Sequence, residues 1–308
     1  MNEDWKERLS EWSKPPTDHE EKKGSTAAEM IKEALRSYPL LQKHHFRVYP
    51  TGSYRNNTNV RLGSDIDIAV VLTDSFYPDL PPGLSSEQLG LVDASYNLDS
   101  FREHVGEALV LKFGSEAVTP GDKTFNVCES SKRLDADVTA FLQYRKYTGA
   151  RLENGSWEFI EGAETRSRRE PYRAIINWHE QHYENGVVRN EQTNRRFKRV
   201  TRILKRMRDE MGQMDDETFR VAGATPSFLI ECLVYNAPDS CFNRTVDGYY
   251  ADVYQILTHL WIFTSNDMAC TDFVEVNGLK SLFSAEQSWH RADAHQFVGS
   301  AFRFLTTR

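Results

Sequence analysis

Between residues 52 and 67 the chain reads Gly52-Ser53, eleven further residues, then Asp65-Ile66-Asp67, with the apolar run Ile68-Ala69-Val70-Val71-Leu72 behind it. This stretch constrains the fold more than any other. Asp65 and Asp67 alternate with Ile66 and Ile68, the period of a strand, so the carboxylates share one face and the isoleucines the other. Adjacent carboxylates repel unless a cation sits between them. Hard oxygen donors of this kind suit Mg²⁺, which takes its other ligands from water and phosphates. Gly52-Ser53 follows the strand-like Phe46-Arg47-Val48-Tyr49. A Gly-Ser turn opening a helix offers backbone N–H groups and a hydroxyl to a phosphate.

A phosphate turn, a short connection and an acidic strand together describe a site for nucleotidyl transfer. The combination resembles the signature of the DNA polymerase β-like nucleotidyltransferase superfamily. A bare Asp-x-Asp carries little, because it occurs on many solvated strands. The spacing from Gly-Ser and the β-branched run make it specific. Two-metal phosphoryl transfer usually needs a third acid from a neighbouring strand. Leu134-Asp135-Ala136-Asp137-Val138 supplies two candidates on one face, and periodicity does not choose between Asp135 and Asp137. Ala-Asp-Val resembles the third motif of the superfamily, which favours Asp137.

The 308 residues suffice for one large or two medium domains. A hydrophobic content of 39% and a charged content of 27% are those of a globular protein. No apolar run has the length of a membrane span, and the N-terminus lacks the apolar core of a signal peptide. The expectation is a cytoplasmic protein without membrane contact. The net charge of −7 argues against broad electrostatic coating of a polynucleotide. Cys128, Cys232, Cys241 and Cys270 form no Cys-x-x-Cys pair, so reduced, mostly buried thiols are expected rather than zinc.

Along the chain, Thr26 and Glu29 read as a capping box opening a helix that Pro39 ends, after 22 polar residues. Residues 74–100 read as a loop, Phe101–Phe113 as a helix, and 125–127 with 134–141 as a strand pair. Asn154-Gly155 reads as a turn into a strand at 157–160, and 161–171 as a charged surface loop. From Thr193 the pattern is helical. Phe197, Val200, Leu204, Met207 and Met211 form one stripe, and Ser284 with Gln287 caps a last helix. The expected domains are 1–190, an α/β core behind an N-terminal helix, and 191–308, a helical lobe closing the nucleotide cleft.

Residues 195–208 hold eight basic side chains, of which Lys198, Arg202 and Lys205 share one helical face. Most of the eight read as a solvated surface. The shared face, turned toward a cleft, would hold a triphosphate. Thr225 then reads as an N-cap and Pro226 as the first helical residue, which puts Ser227 in a first turn whose free N–H groups attract phosphate.

At this point the resemblance narrows. Arg-Ile-Leu-Lys205-Arg followed by Pro-Ser227-Phe228-Leu-Ile-Glu resembles the helical lobe of the cGAS/DncV-like nucleotidyltransferases (CD-NTases). Trp178 to Asn190, before Thr193, resembles the bridge into that lobe. These enzymes make cyclic di- or trinucleotides in bacterial CBASS anti-phage systems. The resemblance implies an α/β fold: a polymerase β-like nucleotidyltransferase core with a mixed sheet plus a C-terminal helical lobe. It implies metal binding by Asp65, Asp67 and Asp137, which would be the catalytic acids, with two Mg²⁺ ions or Mn²⁺ in their place. It assigns nucleotide binding to Gly52, Ser53, Lys205, Ser227 and Phe228, the last as a stacking aromatic. The implied substrates are nucleoside triphosphates such as ATP, with no nucleic-acid template and a product read by a separate effector protein. Two departures stand near the site. Asn57 replaces a common Gly before Thr58, and Thr139-Ala140 replaces a common Val-Pro. Two other enzymes share the chemistry, a linear oligoadenylate-type and a tRNA-end nucleotidyltransferase. A degenerate, non-catalytic nucleotide binder is the reading from another class, against which the presence of all three acids counts.

Overall fold

The computed structural model describes residues 3–60, 65–131, 133–170, 172–243 and 248–307. The chain forms two compact units that interleave in sequence. One comprises residues 17–55 and 64–179, the other residues 1–16, 56–63 and 180–308. Toward the C-terminus the grouping changes at residue 180. The N-terminal segment and part of the spacer between Ser53 and Asp65 group with the C-terminal helices.

In the first unit the described residues build one mixed sheet in the order β1-β2-β5-β4-β3, with β6 on β5 and β7 on β6. The strands are β1 (Phe46–Pro50), β2 (Ile66–Asp79), β3 (Val118–Pro120), β4 (Thr124–Val127), β5 (Ala136–Arg151), β6 (Trp157–Arg166) and β7 (Ala174–Asn177). Only β2 and β5 run parallel; the other pairs are antiparallel. Two helices pack on this sheet, α2 (Asp18–Ser37) and α5 (Leu98–Phe113), with α3 (Gly52–Asn56) between β1 and β2 and the short α4 (Ser86–Leu89) between β2 and α5. Alternation sorts the strand residues. Ile66, Ile68, Val70, Val138 and Ala140 bury with Ile31, Leu35, Phe101 and Leu109 of α2 and α5. Ala69, Val71 and Phe141 lie on the opposite face with Ala163 and Tyr49.

The second unit holds α1 (Glu3–Trp12), α6 (His179–Gln192, from its second residue), α7 (Phe197–Gly212), α8 (Glu217–Gly223), α9 (Ser227–Asn236), α10 (Tyr250–Phe263) and α11 (Arg291–Thr307). The expected α7 stripe of Phe197, Val200, Leu204, Met207 and Met211 is fully buried. Trp5 and Leu9 of the polar N-terminal segment join that core, and the Trp5 ring meets Phe304 edge-on at 5.8 Å.

Several boundaries differ from the sequence expectation. The capping box is Thr17 with Glu20, and Thr26 bonds the Lys22 carbonyl inside α2. β2 runs on through Asp79, into the expected loop. β6 reaches Arg166, where it pairs with Ala174 of β7, and Arg102 donates to the Thr165 hydroxyl and the Arg166 carbonyl; Pro171 lies outside the described residues. Gln287 caps nothing. It donates to Glu275, and Asp293 accepts from the His290 N–H at the start of α11. Three cysteines are buried and Cys128 is exposed. Among the described residues no helix is long and apolar enough to cross a membrane.

Candidate active site

Asp67 and Asp137 stand opposite each other on the parallel pair β2 and β5. Their neighbours Ile66, Ile68, Ala136 and Val138 are all buried, so the carboxylates are forced to the other face. A register slip of one residue would reverse this, and the buried neighbours forbid it. Asp67 is exposed and Asp137 half-buried. Asn126, paired with Asp137 on β4, donates to its Oδ1 at 3.3 Å. Asp135 lies just before β5. Its carbonyl accepts from the Ile66 N–H at 3.0 Å and its carboxylate from the Glu129 N–H, so it shapes the approach to the strand. Burial and then the negative charges of Asp135 and Asp137 push the Asp65 carboxyl above the ordinary range. The acids are thus close enough to repel.

Gly52 opens α3 against this acidic row. Its φ is +59°, and a Cβ there would lie 2.2 Å from Asp67 Oδ2. The Thr51 N–H donates to the Asp67 carbonyl at 2.8 Å, which ties the turn to the strand. Ser53 follows in the first turn, half-buried. Among the described residues no three Asp, Glu, His or Cys side chains converge as a closed metal cage. The donors are nonetheless hard oxygens on one face, with carboxylate repulsion that a divalent cation would relieve. That donor chemistry fits Mg²⁺, which keeps several waters and substrate phosphates among its ligands.

Lys205, Ser227 and Phe228 belong to the second unit, apart in the chain from Gly52, Ser53 and the acids. Lys205 is only 2% exposed. Its Nζ donates to the Thr58 carbonyl at 3.1 Å and meets Glu231 Oε2 at 3.2 Å, so it is not displayed as a free clamp. Arg202 likewise donates to the carbonyls of Ser13 and Asn57. Burial lowers its pKa to about 10. Arg202 and Lys205 of that face therefore grip backbone, while Lys198 lies over the Tyr183 ring at 5.9 Å. Burial would push the Glu231 carboxyl up, but Lys205, His182 and Thr58 outweigh it and hold it well below the carboxylate range. Pro226, not Thr225, occupies the cap position of α9, and Ser227 is its first residue. The Ser227 hydroxyl accepts from Arg208 Nη1 at 2.7 Å. Phe228 packs on His182 and Trp289 at 5.5 and 6.0 Å between centroids.

Four side chains gained no role from sequence reasoning. Asn126 was findable from the strand pairing. Arg208 lies one turn beyond Lys205 in the basic run. Glu231 ends the quoted Pro-Ser-Phe-Leu-Ile-Glu motif. Thr58 carried no signal of its burial. The Asn57 departure has a local reason: its φ is +53°, a conformation Gly adopts freely and Asn tolerates best among the rest.

Comparison with known proteins adds to this geometry. Residues 184–306 match the cGAS/DncV-like nucleotidyltransferase C-terminal helical domain, and residues 28–105 match the nucleotidyltransferase domain. A cyclic dipyrimidine nucleotide synthase CdnE of Legionella pneumophila is 37% identical over 307 residues, 99% of each chain. Another, from Cecembia lonarensis, is 36% identical over 95% of each. The structure of Rhodothermus marinus CdnE c-UMP-AMP synthase with Apcpp and Upnpp superposes with a TM-score of 0.81 at 30% identity. It covers 98% of this chain and 96% of its own.

Proposed function

The chain belongs to the cGAS/DncV-like nucleotidyltransferases, and from that membership we propose that it joins two nucleoside triphosphates into a cyclic dinucleotide. The enzyme class is nucleotidyltransferase. In each of two steps a ribose hydroxyl forms a bond to an α-phosphorus. The bond from that phosphorus to pyrophosphate breaks, and the hydroxyl proton leaves to a carboxylate or to water. The observation that carries the reading is the register pair Asp67 and Asp137 with the Gly52 turn seated against Asp67.

Asp65, Asp67 and Asp137 would hold divalent cations, two Mg²⁺ ions by resemblance. When bound, such ions activate the attacking hydroxyl and neutralise charge on the triphosphate. Gly52 and Ser53 present the N–H groups of their turn to phosphate. Asn126 orients Asp137. Ser227, with Arg208 behind it, and Phe228 are assigned to the donor nucleotide. Lys205 reaches a triphosphate only by exchanging Thr58 and Glu231. The relatives that make dipyrimidine rings support at least one pyrimidine in the product. We assign the product to anti-phage signalling through a separate effector, in the cytoplasm, with no template. The test is mass spectrometry of products from NTPs offered singly and in pairs. A ring containing uridine or cytidine is expected; a purine-only product overturns the base assignment.

A further inference from the structure

Gly212 ends α7 and Gly223 ends α8, and the two helix ends close to backbone contact. A Cβ on Gly223 would lie 2.3 Å from the Gly212 Cα and 3.5 Å from the Arg208 carbonyl. This approach brings the turn into α9 beside Arg208, one helical turn before Gly212. Arg208 Nη1 donates to the Thr225 carbonyl at 3.1 Å and to the Ser227 hydroxyl at 2.7 Å. Its Nε and Nη2 donate to Asp209 Oδ1 at 2.9 and 2.5 Å. The planar guanidinium is thus fixed along both edges, a hold that a lysine ammonium cannot reproduce.

A serine hydroxyl has one hydrogen and two lone pairs, whereas a guanidinium only donates. The Ser227 oxygen therefore accepts from Arg208, and its hydrogen is left for another acceptor. Among the described residues none takes it. Ser227 is half-buried and is the first residue of α9, where backbone N–H groups lack helical acceptors. A hydroxyl that accepts from a cation becomes a stronger donor. The hydrogen, the amides and the nearby positive charge all suit a phosphate oxygen.

We propose that Arg208 is a positioning residue for the donor triphosphate: by holding Ser227 Oγ it turns the Ser227 hydroxyl hydrogen toward a phosphate oxygen. The inference rests on the reading of Ser227 as a nucleotide-binding residue. Arg208 is engaged by Asp209, Thr225 and Ser227, so it acts through Ser227 and not as a phosphate ligand. Its loss falls on nucleotide affinity and leaves the chemical step intact.

The test uses the full chain with Ser227→Ala, Arg208→Met, Arg208→Lys and the double variants that combine each Arg208 change with Ser227→Ala. KM and kcat of pyrophosphate release are measured for the NTPs with Mg²⁺, beside a thermal melt. Ser227→Ala should raise KM about tenfold with kcat within about twofold. Arg208→Met should raise KM by a similar factor. Arg208→Lys keeps the charge but not the fork, and should raise KM about threefold or more. In the Ser227→Ala background neither Arg208 change should move KM by more than about twofold, because without the hydroxyl nothing is left to position. Effects that multiply in the double variants overturn the proposal, as does a loss confined to kcat. If Arg208→Met does not fold, the cycle with Arg208→Lys decides alone. A raised KM in Ser227→Ala with the Arg208 variants at the parental KM removes the proposal and leaves Ser227 as a nucleotide contact. An unchanged KM in Ser227→Ala, or a parent that releases no pyrophosphate, removes that reading and the proposal with it.

Discussion

A Cβ on Gly52 would stand 2.2 Å from Asp67 Oδ2 and 3.1 Å from its Cγ. A methyl group on this turn would therefore push the Asp67 carboxylate out of its place. The same residue has φ +59°, so the contact and the backbone conformation both favour glycine.

Gly52→Ala should inactivate the enzyme without unfolding it. The backbone strain is worth about 1–2 kcal/mol. Displacing a catalytic group by an ångström costs on the order of 10²-fold. A fall in kcat of about 100-fold, with melting lowered by only several degrees, is expected. Steady-state kinetics beside a thermal melt checks this, and near-parental turnover contradicts it.

Asp67→Asn and Asp137→Asn should each abolish synthesis, losing several kcal/mol of transition-state stabilisation. Asp135→Asn should be milder, because the Asp135 carboxylate supports the Glu129 N–H whereas Asp137 pairs with Asp67. Chelation of divalent cations should silence the parent protein, and added Mg²⁺ should restore it. Pyrophosphate release from the three variants decides the order; a more damaging Asp135→Asn moves the third acid to that residue.

The Asp65 pKa is raised by burial and by Asp135 and Asp137. A raised carboxyl destabilises the fold fully above its folded pKa, and the effect vanishes below its ordinary value of 3.8. In metal-free buffer at neutral pH, Asp137→Asn should melt about 1 °C higher than the parent, a surface-sized effect. The gain should shrink as the pH falls through the raised value. Mg²⁺ should stabilise the parent and act weakly on the variant. Melts with and without chelator across pH 4–8 test this, and equal Mg²⁺ responses count against a metal role for Asp137.

Lys205 offers a prediction that its position in the basic run does not suggest. Lys205→Met leaves Glu231 buried without its cation, which costs about 3–5 kcal/mol. Lys205→Met with Glu231→Leu should regain most of that loss. Because the Glu231 carboxyl is held below its ordinary 4.5, its contribution is present above that pH and lost as the pH falls through the lowered value. Denaturant melts of single and double variants read the coupling directly. A stable Lys205→Met with only a raised KM would show that the ion pair matters little.

The readable parts of this chain are those where one local period decides the answer. Asp67 had to face away from Ile66 and Ile68, and the stripe from Phe197 to Met211 had to be core. The β4–β5 pairing and the hairpin at Gly155 follow from equally local signals. What the sequence hides depends on partners far along the chain. Thr58 and Glu231 are 173 residues apart, and Arg202 and Ser13 are 189 apart. Nothing near Lys205 shows that its ammonium is engaged by Thr58. Capping boxes failed for a related reason: Thr26 and Ser284 carry suitable neighbours, but Thr26 lies inside α2, whose box is Thr17 with Glu20, and α11 begins beyond Gln287.

The proposed reaction is template-free closure of a ring from nucleoside triphosphates. It is tested most directly by incubating pure protein with all four NTPs and Mg²⁺, without DNA or RNA, then adding phosphatase and weighing the products. A phosphatase-resistant cyclic dinucleotide that is absent with Asp67→Asn is the expected product. Linear chains fully degraded by phosphatase, or products formed only when nucleic acid is added, would contradict it.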